Sequence, residues 1–345
     1  MKNLRLSIIG FGTVGQGLAE LLSSKQALLR QDFGLEVTLV SVANARHGFI
    51  YREEGLDIPT LLELAATKRP LTEHPGVKHW ASALTGLQAT GGDVLAEVTG
   101  TNLRDAEPGM SHIRAALNQG MHVITANKGP GALAAAELFA IAQQYGVQLR
   151  MEATVMAGTP VLSTIREGMA GTKISTIRGI LNGTTNYILS AMATGRDYAE
   201  VLAEAQAQGY AEADPTADVE GYDALAKTLI LATYVFGRPL QPNQVVRQGI
   251  TTITRKQMQQ AIDQGKRIKL VASLRLHAEN YTLEARVEPI ELLLNDPLAR
   301  VDGVMNAITI YSDTLPEVTV IGPGAGRLQT GQALLADLIA IAKTL

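Results

Sequence analysis

The chain has no cysteine among its 345 residues. That absence removes disulfides, thiolate metal sites and cysteine nucleophiles together. It also excludes aldehyde chemistry that passes through a thiohemiacetal, because that route needs a thiolate. Aromatic residues make up only 4% of the chain, too few for base-stacking platforms. Positive charge is not in excess either. The formal net charge is −3 and the sequence pI about 6.1, so a phosphate-backbone partner is not expected. No apolar run approaches the roughly 18 residues of a membrane helix. The opening stretch MKNLRLSIIGFGTVGQGLA puts Lys2 and Arg5 ahead of apolar residues, as a signal peptide does. Gly10, Gly12, Gly15 and Gly17 break that hydrophobic segment. These absences describe a soluble, cytoplasmic protein with a small-molecule ligand and no nucleic-acid or membrane partner.

Apolar residues are plentiful at 46%, and the length suits two domains, each with its own core. Over residues 1–150, apolar strands (LRLSIIG, EVTLVSVAN, DVLAEVTG, HVITAN) alternate with helices (VGQGLAELLSS, SHIRAALNQG, GALAAAELFAIAQQYG). Two of those helices end at glycine, Gly120 and Gly146, a common C-terminal signal. The alternation predicts an α/β domain with a Rossmann-type, doubly wound parallel sheet. SSKQALLRQDFGLE, between the first helix and second strand, reads as a long loop. Residues 151–323 have a different texture, with half-wet strands such as YTLEARVEPI and NAITIYS, and predict a separate α+β domain. The tail GRLQTGQALLADLIAIAKTL reads as an amphipathic helix (within 324–345) that completes the first domain.

GFGTVG fits G-x-G-x-x-G and lies between a predicted strand and a predicted helix, the context that gives the pattern meaning. Gly10 permits the tight turn, Gly12 lets a pyrophosphate approach the backbone, and Gly15 allows close helix–sheet packing. The helix N-terminus offers free N–H groups and a positive dipole end to phosphates, and Phe11, Thr13 and Val14 are expected at the cofactor together with the three glycines. A glycine turn without a ligand is the bland alternative. At the end of the second strand an acid suits NAD, whereas an arginine suits the 2′-phosphate of NADP. Here the sequence is VANARHG, with Asn44 where an acid might stand and Arg46 following. NADP is therefore expected, with NAD possible if Arg46 is an ordinary surface arginine.

A second cluster lies in GYAEADPTADVEGYDALAKTLILATYVF, which carries Glu212, Asp214, Asp218, Glu220 and Asp223 ahead of a single lysine, Lys227. Asp223 and Lys227 are i, i+4, so they share a helix face. The helix is apolar nearly all round, which indicates burial. A buried ammonium needs a partner, and Asp223 is the nearest. Spacing alone leaves two readings open, a structural buried pair or a proton-transfer site. Asp214 precedes Pro215, a turn signal, and Asp218 is placed to cap the coming helix. Glu220 reads as solvated, and Glu212 is free to meet a substrate amine. The acid spacing fits no calcium loop.

The run AQAQGYAEADPTADVEGYDALAK (residues 205–227) resembles the signature of the homoserine dehydrogenase family throughout. GFGTVG, TANKGP, EATVMAGTP, LNGTTNYIL and GPGAG follow the family's order, so the likeness covers nearly the full length. The resemblance implies an enzyme that interconverts L-aspartate 4-semialdehyde and L-homoserine with NAD(P)H. By that likeness Lys227 carries the proton at the substrate oxygen, with Asp223 and Glu212 binding the substrate ammonium. Gly183 and Thr184 form the substrate-contacting turn, with Asp218 also at the substrate. Lys128 lies by the nicotinamide and substrate, and Thr99, Gly209 and Gly326 line the cofactor cleft. Glu152, with main-chain oxygens of Val155, Ala157 and Thr159, resembles a structural sodium site. The middle domain is implied to pair two subunits into a homodimer. A form without the regulatory ACT domain is expected, hence no threonine feedback through such a site. The competing expectations are a reductase of another small amino-bearing aldehyde or keto acid, and a non-catalytic nucleotide sensor.

Overall fold

A computed structural model describes residues Met1–Leu345. They form two compact units, Met1–Gly158 with Gly326–Leu345, and Thr159–Ala325.

The first unit is built on seven strands: β1 (Lys2–Ile9), β2 (Leu35–Asn44), β3 (Gly48–Tyr51), β4 (Lys78–Trp80), β5 (Val94–Glu97), β6 (His122–Thr125) and β7 (Leu149–Arg150). Their order is β4-β3-β2-β1-β5-β6-β7. β1 pairs in parallel with β2 on one side and β5 on the other, and β6 and β7 continue in parallel. The C-terminal half of β1 is covered on both sheet faces: Leu6 and Ile8 alternate with Ser7 and Ile9, and all four are buried. With β1's neighbours leading away in opposite directions, its C-terminal end is a topological switch point, where ligands of such sheets bind.

Two features differ from the sequence expectation. The expected long loop contains a helix, Gln26–Phe33, closed by Gly34 in the left-handed region at φ +58°. The sheet is also not wholly parallel, since β3 and β4 extend it antiparallel beyond β2. Strand β3 is only four residues long and buried at Phe49, Ile50 and Tyr51 alike, so no alternation sets it apart from a loop.

The final helix, Arg327–Thr344, packs against the helix Thr13–Ser24 through glycines. A Cβ on Gly17 would lie 2.3 Å from the Arg327 carbonyl oxygen, and one on Gly331 would lie 2.8 Å from the Gly17 backbone. Leu334, Leu338 and Ile341 from that helix join Leu6, Ile8 and Leu18 in one core.

The second unit holds a six-stranded sheet of β8 (Ile174–Ile180), β9 (Val246–Arg247), β10 (Lys266–Leu276), β11 (Leu283–Leu293), β12 (Met305–Ser312) and β13 (Val318–Pro323), ordered β13-β12-β8-β10-β11-β9. All its pairs are antiparallel except β11 with β9. Two helices carry the candidate site residues. Gly183–Met192 starts directly after β8, and Tyr222–Phe236 packs on β10 and β11. No helix of the chain is long and apolar enough to cross a membrane.

Candidate active site

Each unit carries one constellation of functional side chains. In the first, the glycine turn follows β1 and opens the helix Thr13–Ser24. Gly10 has φ +108°, and a Cβ there would lie 2.4 Å from the Val98 carbonyl oxygen. Gly15 abuts the turn itself, since a Cβ would come 2.3 Å from the Gly10 oxygen. Around Gly12 nothing lies within 4 Å of a built Cβ, so a ligand can reach the backbone there. No side chain caps the helix. Its first N–H groups, at Thr13 and Val14, thus remain for an anion.

The turn forms one wall of a cleft of about 470 Å³ that also takes in Phe11, Asn44, Arg46, Val98, Thr99 and Gly100. The Asn44 side-chain oxygen accepts the N–H groups of Arg46 at 3.0 Å and His47 at 2.7 Å. It therefore shapes its own loop, and Arg46 borders the cleft beside it. Two further cations on this cleft escaped the sequence reading, Lys68 and Arg69. They follow the helix Ile58–Ala66, far from the glycine motif in sequence, with Lys68 left-handed at φ +57°. Arg69 pairs with Glu73. No local pattern marks either residue. The glycine cradle, the open helix start and the basic rim fit a dinucleotide phosphate.

Lys128 stands at the first position of the helix Lys128–Gln144, which begins three residues earlier than GALAAAELF suggests. Asn127 caps that helix, accepting from the Gly129 N–H at 3.0 Å. Gly326, at φ +138°, opens the final helix, where a Cβ would collide with Gln329.

The second constellation centres on Lys227. Its helix is buried from Ala224 to Ala232, and Lys227 itself is 6% exposed. The ammonium donates to Asp223 Oδ2 at 2.7 Å and to the Leu181 carbonyl at 2.5 Å. Asn182 connects the rest, and the sequence reading missed it. Its Nδ2 donates to Asp218 Oδ1 at 2.6 Å and Asp223 Oδ2 at 3.0 Å, while its Oδ1 caps the helix Gly183–Met192 at the Thr185 N–H. Asn before Gly-Thr-Thr is a legible cap signal; its second role depends on residues some forty positions away.

Asp218 is no cap. Gly221, left-handed at φ +80°, starts the helix Tyr222–Phe236 with no side-chain cap. Asp218 instead accepts from Asn182 and from Thr184 Oγ1 at 3.0 Å. Burial, and then the charge of Asp223, hold its carboxyl above the usual range against the pull of Asn182, Thr184 and Lys227. Thr184 Oγ1 also lies 2.7 Å from the Tyr210 carbonyl. Gly183 must be glycine, because a Cβ would lie 2.7 Å from the Val304 oxygen.

The other acids lie outside the hydrogen-bonded group. Asp214 accepts from the Thr216 N–H in a local turn. Glu220, expected in solvent, is half-buried and accepts from Thr251. Glu212 is exposed on the loop after Gly209, whose φ is +75°. Glu152, Val155, Ala157 and Thr159 are buried on one segment. Met156 and Ala157 are both left-handed, at φ +58° and +45°. Such a turn with a buried carboxylate offers oxygen donors of the kind a hard cation takes. No group of three His, Asp or Glu side chains is arranged for a metal.

Two family models match the chain: "Homoserine dehydrogenase, NAD binding domain" over residues 10–152 and "Homoserine dehydrogenase" over residues 160–339. An NAD(+)-dependent homoserine dehydrogenase from Pseudomonas canavaninivorans is 40% identical over 342 residues, 99% of this chain and 97% of that relative. Among solved structures, a putative homoserine dehydrogenase from Archaeoglobus fulgidus shares 36% identity at a TM-score of 0.87, covering 98% of this chain and 99% of that one. A hyperthermophilic archaeal homoserine dehydrogenase in complex with NADPH shares 28% identity at a TM-score of 0.85, covering 100% and 99%. Matches of this extent, on a fold whose glycine turn suits a nicotinamide dinucleotide, settle the classification: the chain belongs to the homoserine dehydrogenase family of oxidoreductases.

Proposed function

We propose that this chain interconverts L-aspartate 4-semialdehyde and L-homoserine, with Lys227 passing the proton at the substrate oxygen. The observation that carries the assignment is the buried ammonium of Lys227, fixed by Asp223 and the Leu181 carbonyl. An ammonium has three donors, so one remains for a substrate oxygen. Bound dinucleotide supplies the hydride in the reductive direction. As the carbonyl oxygen gains charge, Lys227 stabilises it and gives it a proton; in the oxidative direction the neutral amine takes that proton back. Asp223, Asp218 and Glu212 are assigned to the substrate ammonium, Gly183 and Thr184 to the turn beneath the substrate. Lys128 is assigned to the cofactor and substrate together.

For the cofactor we propose NADP over NAD. Asn44 stands where an acid would repel a 2′-phosphate, and Arg46 with Lys68 supplies positive charge to the same cleft. The Pseudomonas relative is NAD(+)-dependent by name, so the choice rests on these residues of this chain. Gly10 to Gly15, Thr99, Gly209 and Gly326 complete the assigned cofactor contacts. Sodium at Glu152, Val155, Ala157 and Thr159, a homodimer formed through the second unit, and a cytoplasmic location belong to the same proposal. The apolar Ile321, 53% exposed on the edge strand β13, supports a partner there.

The test is a panel of aldehydes assayed by NADPH consumption. Aspartate semialdehyde should be turned over and analogues lacking the α-amino group should not. Equal turnover of both would favour a broader aldehyde reductase.

A further inference from the structure

At the end of β5 the chain buries a carboxylate completely. Glu97 is 0% exposed, a depth carboxylates reach almost only when paired. Its neighbouring base is His112, with Nδ1 3.5 Å from Oε1. Oε1 also accepts from the Thr99 N–H at 3.3 Å and the Thr99 hydroxyl at 2.5 Å. Thr99 Oγ1 in turn accepts from Asn127 Nδ2 at 3.1 Å, and Asn127 Oδ1 caps the helix that begins with Lys128. Gly109, at the start of the helix Gly109–Asn118, gives the group room. A Cβ there would lie 2.4 Å from Asn127 Nδ2 and 3.1 Å from Glu97 Oε2. Oε2 carries no hydrogen bond.

Burying a carboxylate with half its acceptors unused costs stability. Well-packed apolar residues of similar volume often replace such groups without loss. The hydrogen bonds that Glu97 does make lead to two residues assigned above to the cofactor. Thr99 lines the cleft, and Lys128 follows the Asn127 cap.

We propose that Glu97 is a positioning residue for dinucleotide binding. Its carboxylate orients Thr99, and through the Thr99 hydroxyl it orients Asn127, so the cleft wall at Val98–Gly100 and the start of the Lys128 helix are set together. The inference rests on the reading of this cleft as the dinucleotide site.

Affinity for NADPH, measured without substrate by calorimetry, tests it in the whole chain. Glu97→Met keeps the side-chain length and removes the acceptor; Thr99→Val removes the donor. Each should weaken NADPH binding about tenfold, the value of one net hydrogen bond. The double variant should bind no worse than the weaker single, because both break one linkage. Glu97→Gln, which keeps an acceptor, should recover most of the loss. Should Glu97→Met fail to fold, Thr99→Val with Glu97→Gln carries the test. The proposal is overturned if both single variants bind as wild type, if their losses multiply in the double, or if Glu97→Gln is as weak as Glu97→Met. A wild-type chain that binds neither NADPH nor NADH would instead refute the reading of the cleft.

Discussion

Replacing Lys227 with methionine removes one charge and three donors while keeping most of the side chain's length and its packing in the helix Tyr222–Phe236. Two consequences follow from the geometry. On the proposed mechanism the substrate oxygen loses its proton source, and positioned general acids are worth roughly 10²- to 10⁴-fold in rate. At about 1.4 kcal/mol per decade, that is roughly 3–5 kcal/mol of barrier. Asp223 loses the ammonium at 2.7 Å but keeps Asn182 Nδ2 at 3.0 Å, so the carboxylate retains a donor. Asp218 lies on the same Asn182 amide, and with the cation gone the two acids face each other unrelieved. The variant should consequently lose kcat far more than it loses dinucleotide affinity, because the glycine turn and cleft belong to the other unit. Steady-state NADPH oxidation with aspartate semialdehyde gives kcat, calorimetry gives the NADPH Kd, and a thermal melt checks folding. A Lys227→Met chain that folds, binds NADPH and keeps kcat within about threefold of wild type would refute the proton role.

Four more outcomes are expected. Asn182→Ala removes donors to both Asp218 and Asp223 and the cap at Thr185; the cap alone is worth about 1 kcal/mol, so both Tm and kcat/KM should fall, and a drop in only one would contradict the dual role. Arg46→Ala should raise KM for NADPH about tenfold or more while leaving KM for NADH nearly unchanged, since charge-assisted bonds contribute about 1.5–3 kcal/mol; equal changes for both would remove Arg46 as the selector. Gly15→Ala puts a Cβ 2.3 Å from the Gly10 oxygen; such overpacking costs about 1–3 kcal/mol, and loss of NADPH affinity is the readout, with wild-type affinity the contrary result. Asp218 has its carboxyl raised, chiefly by burial. The stability tied to its proton is therefore complete below the ordinary aspartate value of about 3.9 and is lost as pH rises through the raised value. Asp218→Asn should flatten that part of the stability–pH curve from about pH 4 upward, and a curve parallel to wild type would contradict it.

What the sequence disclosed and what it hid divide along physical lines. GFGTVG was legible because each glycine answers a local demand: a positive φ at Gly10, an open approach at Gly12 and a close packing at Gly15. The Asp223–Lys227 pair was legible because helical spacing alone puts the two on one face, and the apolar surroundings announced burial. Asn182 was not, since its amide bridges carboxylates on a segment that only the tertiary fold brings near. Lys68 reaches the cleft through a left-handed residue that no local pattern demands. The helix Gln26–Phe33 hid in an apparent loop because it buries just Leu29 and so shows little amphipathic contrast. Asp218 misled for the opposite reason. Its position suits a helix cap, but the left-handed Gly221 starts the helix and frees the carboxylate for Asn182 and Thr184.

The proton assignment is most directly tested by a crystal structure of the chain with NADP and homoserine bound together. The substrate hydroxyl oxygen should lie within hydrogen-bond reach of Lys227 Nζ, about 2.6–3.2 Å, with Asp223 still on the same ammonium. A hydroxyl oxygen held by another donor, with Lys227 Nζ out of reach, would contradict the mechanism.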